Sequence, residues 1–215
     1  DHPISFYAVS KKTNELMAHS YSHLYKLPTS GMRFFTVYGP WGRPDMALFK
    51  FTRAILNGDP IDVYNHGEMS RDFTYVDDLV NGMLLLIDAV PEISIKVNEV
   101  DNENQSESRV SPFRVINIGN SKPEKLTDFI EAIEKSLGID AVKNFMPMQA
   151  GDVPNTWADT SLLERLTGYH PQTNLVDGVQ SFVQWYQFDP LHVCNSVLRE
   201  SFLQLPGTFH QIRVF

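Results

Sequence analysis

Residues 6–40 decide the fold class, and they read FYAVSKKTNELMAHSYSHLYKLPTSGMRFFTVYGP. Apolar residues recur every three or four positions over 6–26, a spacing that predicts an amphipathic helix. Residues 31–38 are aromatic and β-branched, and Gly39-Pro40 follows them, so they predict a single strand. A helix that leads directly into a strand is half of an α/β crossover. The sequence therefore predicts an α/β fold.

The same signals continue downstream. Periodicity predicts helices over 46–56, 76–88, 127–137, 161–167 and 175–187, and apolar runs predict strands over 61–64, 113–118 and 143–148. The pair Asp77-Asp78 is interpreted as an N-cap with a favourable helix-dipole charge, and Thr127 as the cap of the next helix. The polar stretch Asp101–Ser108 predicts an exposed insertion or hairpin tip.

Composition excludes several classes of protein. The 215 residues carry 18 basic and 26 acidic side chains, a net charge of −8, which argues against nucleic-acid binding. No apolar run is long enough to span a membrane, and Asp1-His2-Pro3 does not resemble the start of a secretory signal. The single cysteine, Cys194, cannot form an internal disulfide, so we expect a reducing compartment and a cytoplasmic protein.

Tyr7 and Lys11 are the first candidates for chemistry. They lie four residues apart on a predicted helix, so their side chains project from one face. A tyrosine phenol titrates near ~10 and is a poor base at neutral pH, but a neighbouring ammonium stabilises the phenolate. The spacing alone also fits an ordinary exposed pair. The histidines lack the spacing of a metal site, and His19 and His23 are interpreted as a surface pair.

Three segments in this order resemble the nucleotide-sugar epimerases of the extended short-chain dehydrogenase/reductase family. They are YAVSK at 7–11, RFFTVYGPWGRPDM at 33–46 and RDFTYVDD at 71–78. Within that family the resemblance is greatest to the members that epimerise UDP-glucuronate, and it extends to about Gln187. Three motifs in order are far more specific than any one of them.

The resemblance implies roles for the residues on the cofactor side. Tyr7 would be the catalytic acid/base, and Lys11 would bind the ribose of NAD and favour the phenolate. Tyr38, Gly39 and Pro40 match the segment that lines the nicotinamide through backbone contacts.

The resemblance also implies roles on the substrate side. Thr36 would lie beside the carboxylate of the sugar, and Arg43 and Arg71 would bind the two phosphates of the UDP-sugar. Asp152 would accept hydrogen bonds from the uridine ribose. Gln149 stands where some relatives have a phosphate-binding arginine, so the sequence departs from the family pattern at that contact.

The implied organisation is the C-terminal part of a Rossmann-like domain with a smaller α/β substrate-binding domain. Residues 1–40 would end the NAD-binding domain, 41–189 would form mainly the UDP-sugar domain, and the strand near 113–118 would return to the Rossmann sheet. Residues 190–215 are an atypical tail. No glycine-rich dinucleotide motif occurs, so a cofactor-binding half of roughly 130 or more residues is expected before Asp1.

The activity implied is NAD-dependent epimerisation at C4, from UDP-glucuronate to UDP-galacturonate, through a 4-keto intermediate. A UDP-glucuronate decarboxylase and a UDP-hexose 4-epimerase share the fold and stay open. A non-catalytic remnant without a cofactor cradle also stays open. The resemblance further implies a homodimer, formed through the helix that carries Tyr7 and the helix that precedes it in the family.

Overall fold

The computed structural model describes residues 2–93, 106–149 and 151–188. The predicted tail and most of the predicted 101–108 insertion lie outside these ranges. The helices are α1 Phe6–Tyr25, α2 Ala47–Asn57, α3 Val76–Asp88, α4 Leu126–Leu137, α5 Ser161–Thr167 and α6 Leu175–Phe188. The strands are β1 Thr29–Phe34, β2 Thr36–Tyr38, β3 Ile61–Val63, β4 Ser70–Tyr75, β5 Phe113–Ile118, β6 Pro123–Lys125 and β7 Lys143–Phe145.

Parallel pairing dominates the sheets, and the predicted α/β class is confirmed. β1 pairs in parallel with β5, and β3 pairs in parallel with β7. β2 pairs in parallel with β4, whose other edge takes β6 in antiparallel register. Parallel neighbours need crossovers, and helices supply them here.

The single strand predicted over 31–38 is wrong, because the chain changes neighbours at Phe35. β1 faces β5 up to Phe34, whereas β2 faces β4 from Thr36 onward. The backbone N–H of Val37 donates to the carbonyl of Phe35 at 3.0 Å, a local bond that marks the change. The aromatic and β-branched residues of 31–38 carry no local signal for a change of strand partner. The division therefore comes from the sheets themselves.

The main core lies between the sheet of β2 and β4 and the helices α2, α4 and α6. The rings of Phe73 and Phe129 stack with centroids 4.4 Å apart, and Phe182 and Val183 of α6 are almost fully buried beside them. Each such side chain stabilises the fold by about 1.5–3 kcal/mol. A second, smaller cluster packs α3 and α5 on β5. The strand that carries Tyr38 is therefore held by the main core.

Neither predicted cap is the N-cap of its helix, although Asp77 and Asp78 do lie in the first turn of α3, where a negative charge is favourable. α3 has Tyr75 at its N-cap, and Asp78 lies inside the helix, where it is buried. Its carboxylate accepts hydrogen bonds from the Tyr169 hydroxyl at 2.8 Å and from the Thr173 amide at 2.8 Å, so it anchors the chain ahead of α6. Burial and this hydrogen bond raise the pKa of Tyr169 to about 12. Thr127 lies within α4, which begins without a side-chain cap.

α1 differs from the other long helices, because Ser22 is its one buried residue. Its apolar side chains are exposed, among them Phe6, Leu16, Met17, Tyr21 and Leu24. The predicted histidine pair is not merely a surface feature, since His19 Nε2 lies 2.9 Å from Ser108 Oγ and His23 Nδ1 lies 3.0 Å from the carbonyl of Val110. No helix within the described ranges is long and apolar enough to cross a membrane.

Candidate functional site

Tyr7 and Lys11 lie side by side near the start of α1. Ser5 begins this helix, and its hydroxyl accepts a hydrogen bond from the Ala8 amide at 3.2 Å. The Lys11 ammonium lies 5.3 Å from the centroid of the Tyr7 ring, and 72% of Tyr7 is exposed. A phenol and a cation are thus presented together to the solvent, as the four-residue spacing predicts.

Glu15 continues the face of Tyr7 and Lys11 by one more turn, and motif reasoning missed it. Its two carboxylate oxygens accept hydrogen bonds from Arg33 Nε at 2.6 Å and from Arg33 Nη2 at 2.8 Å. These bonds hold the pKa of Glu15 below its usual range and raise the pKa of Arg33. Because Arg33 lies on β1, this bidentate pair connects α1 to the sheet. The sequence signal for Glu15 was its position four residues after Lys11. Its partner, Arg33, lies eighteen positions further along the chain.

A small hollow lies at the end of β2, and four predicted site residues line it: Thr36, Tyr38, Gly39 and Arg43. The rest of the lining is mainly apolar and comes from α2 and from phenylalanines of the main core. The cavity volume is about 40 Å³, whereas ligand pockets commonly enclose about 300–1,000 Å³. The described residues therefore form one wall of a site rather than a complete enclosure.

The Tyr38 side chain packs in the main core, so its hydroxyl is not a candidate for chemistry in the hollow. Its hydroxyl donates to the carbonyl of Asn174 at 3.3 Å, and its burial raises the pKa of the phenol. Gly178 of α6 packs directly on the ring, since a Cβ there would lie 2.3 Å from the Tyr38 hydroxyl oxygen. Any contact of Tyr38 with a ligand must come from its backbone, which is the kind of contact that the resemblance implies.

Arg43 is the more exposed of the two arginines that are predicted to bind phosphate. Its side chain is largely exposed, and its Nη2 lies 3.4 Å from Asp45 Oδ2, also exposed. Exposed pairs of this kind contribute only about 0–1 kcal/mol, so a phosphate can replace the carboxylate at little cost.

Arg71 and Asp152, predicted as two separate substrate ligands, form a direct ion pair. Arg71 Nη2 donates to Asp152 Oδ1 at 2.9 Å, and Arg71 Nη1 donates to the carbonyl of Pro154 at 3.0 Å. The side chain of Arg71 is only 17% exposed. We call Ser70–Asp72 together with residues 152–158 the Arg71 corner. Its partly exposed ion pair joins the Arg71 guanidinium to the Asp152 carboxylate at the edge of β4.

The geometry presents three sets of polar groups: the α1 pair, the hollow at the end of β2, and the Arg71 corner. Among the described residues, no cluster of histidine, cysteine and carboxylate side chains is arranged to hold a metal ion. The arrangement offers an acid/base group beside a cation, a hydroxyl at Thr36, and guanidinium groups suited to phosphate oxygens.

The sequence is similar to those of known proteins over most of its length. Residues 1–100 match the NAD dependent epimerase/dehydratase family. A Rhizobium meliloti protein named "Probable UDP-glucuronate 4-epimerase" is 54% identical over 188 residues, covering 86% of this chain and 54% of the relative. UDP-glucuronate 4-epimerase 4 of Arabidopsis thaliana is 44% identical over 190 residues, covering 86% of this chain and 42% of the relative.

Solved structures share the fold. The UDP-glucuronic acid 4-epimerase of Bacillus cereus, in complex with UDP-glucuronic acid and NAD, aligns with a TM-score of 0.72 at 31% identity. The alignment covers 86% of this chain and 54% of that one. This chain spans about half the length of the curated relatives it matches.

Proposed function

We propose that the chain belongs to the NAD dependent epimerase/dehydratase family, whose model matches residues 1–100. We propose further that it supplies the acid/base pair and the sugar-nucleotide site of a UDP-sugar 4-epimerase. The substrate proposed is UDP-glucuronate and the product UDP-galacturonate. The observation that carries the proposal is the exposed Tyr7–Lys11 pair, with the ammonium 5.3 Å from the ring centroid. The four-residue spacing alone would also suit an ordinary surface pair of tyrosine and lysine. Such a pair does not need its ammonium to lie this close to the ring.

The described residues fit one end of an NAD molecule. Tyr7 and Lys11 offer a hydroxyl and an ammonium on one exposed face. Both groups can form hydrogen bonds with the hydroxyls of a ribose. The backbone of Tyr38, Gly39 and Pro40 lies at the end of β2, beside the hollow. When bound, NAD supplies hydride acceptance and return at the C4 carbon of the sugar.

Tyr7 is the group that moves a proton in the proposed reaction. Its phenolate takes the proton of the sugar 4-hydroxyl as that carbon is oxidised, and the phenol returns the proton when the carbon is reduced on its other face. The Lys11 ammonium lies 5.3 Å from the centroid of the Tyr7 ring, beside the group that exchanges the proton. The exchange leaves Tyr7 as it began, which an epimerase requires.

Thr36, Arg43, Arg71 and Asp152 hold the rest of the proposed substrate. Thr36 lies at the start of β2 and lines the hollow, where its hydroxyl can donate to the 5-carboxylate of the sugar. Arg43 and Arg71 suit the diphosphate, and Asp152 suits the hydroxyls of the uridine ribose. Local cations of this kind would allow a protein with a net charge of −8 to bind the two negative charges of the diphosphate.

The test is conversion of UDP-glucuronate in the presence of NAD, with the products separated by chromatography. UDP-galacturonate is the expected product. UDP-xylose with carbon dioxide would instead indicate a decarboxylase, and conversion of UDP-glucose to UDP-galactose would indicate a hexose epimerase. Absence of both turnover and UDP binding would overturn the proposal in favour of a non-catalytic remnant.

A homodimer formed through α1 is part of the same proposal. The exposed apolar side chains of α1 support it, because such a surface is commonly covered by a partner. Sedimentation of the purified protein tests it. A single species at the monomer mass over a wide concentration range would contradict it.

A further inference from the structure

Asp72 is a fully buried carboxylate next to Arg71, and the proposed mechanism does not use it. Its Oδ1 accepts a hydrogen bond from the Asn120 amide at 2.7 Å. Its Oδ2 accepts from the amides of Ser121 at 2.9 Å and Ala158 at 3.0 Å. Three backbone donors thus converge on one side chain and satisfy both of its buried oxygens.

The segment that carries Asp152 runs along β4 beside Asp72. The Ser70 amide donates to the carbonyl of Pro154 at 2.9 Å, and the Thr156 amide donates to the carbonyl of Ser70 at 3.1 Å. The Asp72 amide donates to Thr156 Oγ1 at 3.2 Å. Residues 154–156 therefore extend the edge of β4 in parallel, with Ser70 bridged to Asn155.

The turn after β5 closes the other side of the carboxylate. A Cβ added to Gly119 would lie 2.3 Å from the Ala158 Cβ and 3.1 Å from Asp72 Oδ1, so the chain at this point leaves no room for a side chain. Ser121 Oγ donates to the carbonyl of Ala158 at 2.9 Å. The turn and the 152–158 segment are thus joined around one carboxylate.

We infer that Asp72 is a positioning residue, which fastens the 152–158 segment to β4 and so places Arg71 and Asp152 for the uridine diphosphate of the substrate. Neighbouring residues of a strand point to opposite faces of the sheet. Arg71 therefore reaches Asp152 on one face of β4, while Asp72 accepts the hydrogen bond of the Ala158 amide on the other. The inference rests on the proposed function and adds to it a residue that does not touch the substrate.

The first experiment measures UDP affinity in Asp72→Asn by calorimetry. Asparagine replaces one carboxylate oxygen, which is an acceptor, with an NH2 group, which is a donor. This donor would face backbone N–H groups, so the hydrogen bonds that fasten the 152–158 segment would be lost. We expect UDP to bind about tenfold more weakly, equivalent to about 1.4 kcal/mol. In the NAD-supplied enzyme we expect KM to rise by a similar factor with kcat kept, because Tyr7 and Lys11 lie on another element. Asp140→Asn, at an exposed position, is the matched control and should bind UDP normally.

A milder pair of variants covers the case in which Asp72→Asn does not fold. Thr156→Val removes only the hydroxyl that accepts the Asp72 amide, and Thr156→Ser keeps it. We expect Thr156→Val to weaken UDP binding several-fold and Thr156→Ser to restore it. Amide hydrogen exchange should rise at 152–158 in Thr156→Val and stay unchanged in β3 and β7.

The outcomes separate this inference from the proposed function. Failure of the unaltered protein to bind UDP overturns the proposed function, and the positioning role with it. Normal UDP binding by the unaltered protein and by folded Asp72→Asn overturns the positioning role alone. Equal UDP affinity in Thr156→Val and Thr156→Ser would also overturn the positioning role. A loss of kcat in Asp72→Asn without a change in KM would overturn it as well.

Discussion

α1 and the Arg71 corner contribute to the same proposed site but are held in opposite ways. Tyr7 on α1 is 72% exposed, and Ser22 is the one residue that this helix buries. In the Arg71 corner, Asp72 is fully buried and accepts three backbone hydrogen bonds. The groups that would react are therefore presented on the surface of the described structure, while the groups that would hold the nucleotide are fixed from inside it.

The difference implies that stability and chemistry respond to different substitutions. Changes on α1 should affect turnover with little effect on the free energy of unfolding, because few contacts are lost there. Changes in the corner should affect stability and UDP affinity together, since both depend on the same hydrogen bonds.

Tyr7→Phe gives the largest expected effect, and it tests the first half of the comparison. Removal of the hydroxyl should lower kcat by about 10²–10⁴-fold, because the proton acceptor is lost. The melting temperature should stay the same, since the Tyr7 ring is kept and is mostly exposed. Tyr21→Phe, at another exposed tyrosine of α1, should leave both quantities unchanged. A decrease in kcat of less than tenfold would contradict the proposed role.

Gly119→Ala tests the second half of the comparison. The new methyl group would meet Ala158 and the Asp72 carboxylate, so we expect a loss of about 1–3 kcal/mol in the free energy of unfolding. Urea titration measures it. Gly31→Ala is the control, because its Cβ would meet its nearest neighbour at an ordinary 3.6 Å. Equal stability of the two variants would show that the corner is looser than the geometry indicates.

Arg71→Lys separates charge from geometry within the corner. Lysine keeps the positive charge but cannot bind Asp152 and Pro154 through a planar fork. We expect UDP to bind about 5- to 20-fold more weakly, close to the value of one charge-assisted hydrogen bond. Isothermal titration with UDP measures this loss. Arg109→Lys, at an exposed arginine, serves as the control. Unchanged affinity in Arg71→Lys would mean that charge alone is sufficient.

Glu15→Gln gives the smallest expected effect and sharpens the description of α1. The Glu15–Arg33 pair is partly exposed, so its loss should cost about 0.2–1 kcal/mol at neutral pH. Because the folded-state pKa of Glu15 is lowered, its contribution is present above the ordinary value of 4.5 and is lost as pH falls through the folded value.

The measurement is the stability of both proteins between pH 7 and pH 3. The difference between them should shrink as Glu15 becomes protonated. A difference that stays constant down to acid pH would show that packing, and not charge, connects α1 to β1.

Local signals in the sequence were sufficient for most of the helices and for the site motifs. The helices predicted over 76–88 and 161–167 agree with α3 and α5 to the residue, because their apolar spacing reports directly which face is buried. The strand at 113–118 was likewise evident. The Tyr7–Lys11 pair followed from helical geometry alone, since four residues make about one turn.

β4 and β6 could not be predicted, because their burial comes from neighbours distant in the sequence. β4 contains Arg71 and Asp72, whose polarity argues against a buried strand, and yet Asp72 is buried because amides from two other segments satisfy it. β6 begins with a proline and lies at the edge beside β4.

The sequence by itself determined the α/β class and the helix that carries Tyr7 and Lys11, and it supplied the charged residues of the proposed site. Tertiary structure alone decided that Arg71 contacts Asp152, that Glu15 is held by Arg33, and that the strand divides at Phe35. The physical reason is one of range. Periodicity and spacing report interactions within a few residues, whereas ion pairs and strand partners depend on where distant segments meet in the fold.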